Sequence, residues 1–166
     1  MNLHDCQLLL DFHYWARDRM LDAVALLTPN QYTRKLDSSF SSIRDSATHI
    51  YFAEWAWYHR WTGHSPTAAL SPDQFPDLAA LRAAWTEHEA KVRAFIGAAG
   101  DAGLARVIEY KLISGQPGAS ILWQMLQHVV NHASYHRGQV TTMLRQVGAA
   151  PPKSTDLIAF YRERGG

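Results

Sequence analysis

The chain has 166 residues, 47% hydrophobic and 19% charged, with a formal net charge of +1, enough to bury a core as a single domain spanning residues 1–166. That balance excludes a disordered chain, and the lack of a basic run leaves nucleic-acid binding by phosphate neutralisation without a footing. No stretch approaches a membrane span, Leu8 to Leu10 is too short for a signal peptide, and a lone Cys6 excludes an internal disulfide, which together fit a cytoplasmic protein with no membrane partner.

From Leu3 to Leu27 apolar residues recur at Leu8, Phe12, Trp15, Ala16, Met20, Ala23, Val24 and Leu27. This is the period of a helix, and Thr28-Pro29 stops it before a polar connection. Ser41 or Ser42 can cap a second helix, with Ser42-x-x-Asp45 as a loose capping box and Gly63 as the C-terminal stop. Its apolar positions are Ile43, Ala47, Ile50, Ala53, Trp57 and Trp61. "HSPTAALSPDQFP" is a loop holding three of the seven prolines. Asp77 then caps an amphipathic helix that runs to Gly100. Residues 101–119 read as an irregular link with a short hairpin, since "RVIEYKLI" leans to strand and "SGQPG" is turn chemistry. A last long helix spans about Ser120 to Val147, ended by Gly148, and a short one starts near Thr155. The predicted architecture is an all-α four-helix bundle with one long irregular connection and a short C-terminal helix.

Nine histidines sit in this framework, and three of them, His128, His132 and His136, repeat every four residues on the last long helix. The apolar stripe there runs through Leu122, Met125, Leu126, Val129, Ala133, Val140, Met143, Leu144 and Val147. At about 100° per residue His136 lies roughly 20° from the stripe's centre, His132 roughly 60° and His128 roughly 100°. The inward pair His132/His136 forms an i, i+4 clamp suited to a metal, and His49 is the best third ligand, because Ala53 and Ala56 leave room for its ring. The competing reading is a pair of neutral core histidines bonded to each other or to a tyrosine. Unmet ring nitrogens would then cost about 1–3 kcal/mol each. His4, His13, His59, His64 and His88 show no partner spacing and are expected at the surface or an interface. Arg137 is expected in a structural salt bridge, and Gln139 is placed to orient a ligand ring. Trp55 and Tyr58, off the apolar centre of their helix, are surplus aromatics that point to a homodimer.

"HVVNHASYHRGQVTTMLRQVG" followed by "PPKSTDLIAFYRE" closely resembles the C-terminal signature of the DinB-like family of four-helix-bundle proteins, which are related to bacterial thiol S-transferases. "YWARDRMLDAV", "SATHIYFAEWAW" and "DLAALRAAW" extend the resemblance over nearly the whole chain. It implies a divalent metal held by His49, His132 and His136, with His128 outside the ligand set. One departure is Arg17, at a place where many members carry Asn. Three imidazoles with open positions are the layout of a catalytic site. Imidazole suits zinc, nickel, iron or copper, and ligand type alone does not choose among them; zinc or nickel is expected first, with iron as a further candidate. Such a metal would lower the pKa of a coordinated thiol or water. The first expectation is therefore metal-dependent S-transfer or isomerisation of a small-molecule substrate with a low-molecular-weight thiol. Metal-dependent hydrolysis is the alternative within enzymes. A non-catalytic, stress-associated metal-binding protein is the alternative outside them.

Overall fold

A computed structural model describes residues 1–165. Helices α1 (Leu3–Val24), α3 (Ile43–Trp61), α4 (Leu78–Leu104) and α5 (Leu122–Gln146) make the bundle, and α2 (Pro29–Thr33) and α6 (Leu157–Glu163) are short. Between α4 and α5 lie two strands, β1 (Val107–Lys111) and β2 (Pro117–Ile121), paired antiparallel with Val107 opposite Ile121. The closest partners are α3 with α5 and α1 with both α4 and α5. Leu10, Met20, Leu21, Ile43, Ile50, Leu81, Trp85, Ile96, Leu126 and Met143 fill the centre and are almost wholly buried. Burying each side chain of this size contributes about 1.5–3 kcal/mol.

Several ends follow the capping chemistry. Asp77 accepts from the Ala80 N–H at 2.8 Å, and Ser42 accepts from the Asp45 N–H at 3.1 Å. The expected box at Ser42 closes only halfway, since the Asp45 carboxylate turns to Arg44 Nε at 3.3 Å. Gly63 and Gly148 take φ of 88° and 77° just beyond their helices, the left-handed conformation that glycine adopts without strain.

Other boundaries differ from the sequence reading. Helix α1 ends at Val24 rather than Leu27, and the supposed polar connection contains α2. Thr28 and Gln31 form a complete capping box around Pro29 at the first helical position, so local capping overrides the apolar period there. Gly100 does interrupt α4, at φ 58° and ψ −176°, but four more helical residues follow and bury Leu104. The hairpin forms as anticipated, and β2 runs through Ile121, which delays α5 from Ser120 to Leu122. The terminal helix starts at Leu157 instead of Thr155. It packs Phe160 on Phe12 and Trp15 of α1, with Glu163 tied to Arg19 at 2.6 Å. Trp55 and Tyr58 both pack against the chain's own core. Among the described residues no helix is long and apolar enough to cross a membrane.

Candidate metal centre

Helices α3 and α5 bring His49, His132 and His136 together. One ligand nitrogen from each lies within 4.8 Å of the other two. The Nε2 atoms of His49 and His132 are 3.2 Å apart. Two nitrogens bound at 2.0–2.1 Å to one tetrahedral zinc would lie about 3.3 Å apart, so this pair stands at ligand spacing. Nδ1 of His136 is held by the Gln139 side-chain oxygen at 2.8 Å, which leaves Nε2 of His136 for the cluster. Gln139 thus takes the orienting place expected of it. The outer nitrogen of His132, in contrast, is buried with no partner among the described residues. Burial, and then the charge of neighbouring His136, lowers the pKa of His49 to about 4. Burial, followed by the charges of His136, His49 and His128, lowers that of His132 to about 3. Both rings are therefore neutral at pH 7 and present lone pairs, the form a metal requires. The donor set fits a borderline divalent ion such as zinc or nickel.

Some neighbours had no sequence signal. Phe40, on the loop before α3, stacks on His49 at 4.1 Å between ring centroids and meets His136 edge-on at 5.6 Å. Ser39 beside it accepts from the Gln139 amide at 3.1 Å, so the loop is tied to the same residue that holds His136. Nothing in the period of a helix marks a loop aromatic that folds back over it.

His128 is exposed, 5.9 Å from the His132 ring, and lies edge-on to Trp57 at 5.2 Å, a flank as its helix angle indicated. Arg17 pairs with Asp18 and Glu89 and covers Tyr14, so none of these contacts belongs to the trio. Two expectations about charged groups fail. Arg137 makes no salt bridge among the described residues. It is buried, gives one hydrogen bond to Ser134 Oγ at 2.7 Å, and lies 5.6 Å from the Phe12 ring. Burial pulls its pKa down to about 10, opposed by the charge of Glu54.

His13 and His88, expected at the surface or an interface, are instead in the core around Glu54 of α3. Glu54 accepts from His13 Nε2 at 2.7 Å, Tyr14 OH at 2.9 Å and Trp85 Nε1 at 2.9 Å, with His88 Nε2 at 3.9 Å. Burial alone would raise the pKa of Glu54, but the hydrogen bond and charge of His13, then His88 and Trp85, outweigh it and lower it. Burial dominates at His13 and His88 and lowers both. The available signal was Glu54 itself, three to four residues beyond Ile50 and Tyr51 on the buried side of α3.

Comparison with known proteins agrees with this architecture. A model of the DinB family matches residues 1–163. "Protein DinB" of Bacillus subtilis (strain 168) is 25% identical over 158 residues, covering 92% of each chain. A DinB-like protein of Bacillus cereus ATCC 10987, known from its crystal structure, superposes with a TM-score of 0.64 at 18% identity. That superposition covers 88% of this chain and 95% of the other, a likeness of fold. With its family model matched almost end to end and its bundle shared with a solved relative, this chain belongs to the DinB family.

Proposed function

We propose that His49, His132 and His136 hold one divalent metal ion, zinc or nickel before iron, and that the protein uses it for thiol-dependent transfer or isomerisation of a small molecule. The observation that carries this reading is the convergence of three imidazoles on one point, two of them, His49 and His132, held neutral by burial. A metal there would act as a Lewis acid that lowers the pKa of a coordinated thiol or water. The chain's own groups do the rest. Gln139 fixes the ring of His136, and Phe40 covers one face of His49 and limits water on that side. In the transfer reaction the thiol proton leaves to solvent and the sulfur pair forms the new C–S bond. The leaving group departs with the electrons of the bond that breaks. The buried Cys6 is too enclosed to serve as the thiol, so the thiol is a separate small molecule. A single, buried cysteine also suits our placement of the protein in the reducing cytoplasm.

Elemental analysis of protein purified without chelator or histidine tag should find one metal per chain. His49→Ala, His132→Ala and His136→Ala should each lose most of it, and His128→Ala should keep it. Stoichiometric metal in the triple variant would move the site elsewhere. Holo-protein and His136→Ala, assayed with a panel of thiols and electrophiles, then separate the readings. Thiol-independent ester or amide cleavage favours hydrolysis, and equal rates for the two proteins favour a binding protein.

A further inference from the structure

Beyond the trio, the same face of α3 carries an arginine with no acidic partner among the described residues. Arg60 stands eleven positions after His49, which places it about 16 Å along the helix and only about 20° around it. Its guanidinium lies 4.6 Å from the Trp57 ring and 5.9 Å from the Tyr110 ring, and its Nε donates to the Lys111 carbonyl at 3.2 Å. Gly118 makes this possible, because a Cβ there would sit 2.8 Å from the Tyr110 ring. Arg60 is 6% exposed, yet it forms no ion pair among the described residues, whereas Arg17, Arg19, Arg44, Arg82, Arg93 and Arg164 all do. Its two terminal nitrogens have no protein partner among the described residues and are not sealed from solvent, unlike the enclosed Nε and Nη1 of Arg137.

Since Trp57 meets His128 while His49 meets His132, α3 and α5 run antiparallel. A track of ring contacts leads from the trio through His128 and Trp57 to Arg60. At the hairpin end a cavity of about 740 Å³ is lined by Tyr110 and Lys111 from the Arg60 contacts, and by Glu109, with Arg60 itself behind its wall. A buried cation held by stacking and a carbonyl, with its terminal donors free, is arranged to receive an oxyanion.

We propose that Arg60 is the anion-recognising end of the ligand site, and that the small thiol used by this protein carries a carboxylate at its far end. The inference rests on the thiol reading above for the sulfur end and on Arg60 alone for the acid end. The test is calorimetric titration of cobalt(II)-loaded protein with ω-mercaptoalkanoic acids of increasing length, each beside its primary amide. The cobalt absorption spectrum reports sulfur coordination. At the length that spans the track the acid should bind about tenfold more tightly than its amide, as a charge-assisted hydrogen bond provides. Shorter and longer acids should show a smaller advantage.

Arg60→Gln should bring the ratio of acid to amide to about one. Arg60→Lys, which keeps the charge but loses the fork, should retain only part of it. Circular dichroism checks the fold of each variant, and Arg60→Lys carries the test if Arg60→Gln unfolds. Equal binding of acid and amide at every length, no binding of any acid, or a ratio unchanged in the variants overturns the assignment. An Arg60-dependent acid preference without sulfur coordination leaves Arg60 in place as the anion site, and it is then the thiol reading that fails.

Discussion

Replacing Glu54 with alanine removes the only acceptor that three buried donors have among the described residues. The carboxylate is 1% exposed and takes hydrogen bonds from His13, Tyr14 and Trp85 at 2.7, 2.9 and 2.9 Å. Each orphaned donor costs about 1–3 kcal/mol, and the sum is reduced because the variant no longer buries a carboxylate. Breaking a buried charged network by removing one member typically costs about 3–5 kcal/mol, and we expect a loss of about 3–4 kcal/mol for Glu54→Ala. Urea unfolding followed by far-ultraviolet circular dichroism at pH 7 measures it, since the fluorescence of Trp85 would itself respond to the substitution. A loss below about 1 kcal/mol would show that the three donors find other partners, and the reasoning would be refuted.

The pH dependence has a definite sign. Glu54 is lowered in the folded protein, so its contribution is full above the unfolded value of 4.5 and is lost as pH falls through the folded value. His13 and His88 are also lowered, so protonation costs stability as pH falls below their ordinary 6.5. Stability of the wild type should therefore decline on acidification from pH 7 to 4. Its advantage over Glu54→Ala should shrink below about pH 4.5.

Three further outcomes are expected. Gln139→Leu should weaken metal binding about 10- to 100-fold, read by chelator competition, because it frees the outer nitrogen of His136 and releases Ser39. Gly118→Ala should destabilise by about 1–3 kcal/mol in urea, as the new Cβ would lie 2.8 Å from the Tyr110 ring, and an unchanged midpoint would mean that Tyr110 moves freely. We keep a homodimer as our proposal for the assembly, although Trp55 and Tyr58, the aromatics that suggested it, pack against the chain's own core. Light scattering that finds a monomer at high micromolar concentration would count against it.

Local physics was legible in the amino-acid sequence. The helical period and the caps at Asp77, Ser42, Gly63 and Gly148 depend on neighbours within a few residues, so they could be read without the fold. The juxtaposition of His132 and His136 follows from one helix's geometry, and Gln139, three residues on, could be placed beside His136 by the same rule. Tertiary structure decided whatever depends on an element distant in the chain. His13 and His88 have no partner on their own helices, and only the meeting of α1, α3 and α4 around Glu54 makes them core residues. Phe40 over His49, and Tyr110 and the Lys111 carbonyl around Arg60, come from a loop and a hairpin that fold back on α3. The period of a helix tells which face a residue shares, but what that face meets is set by packing between helices, where burial turns an unremarkable Glu, His or Arg into a group that must find a partner.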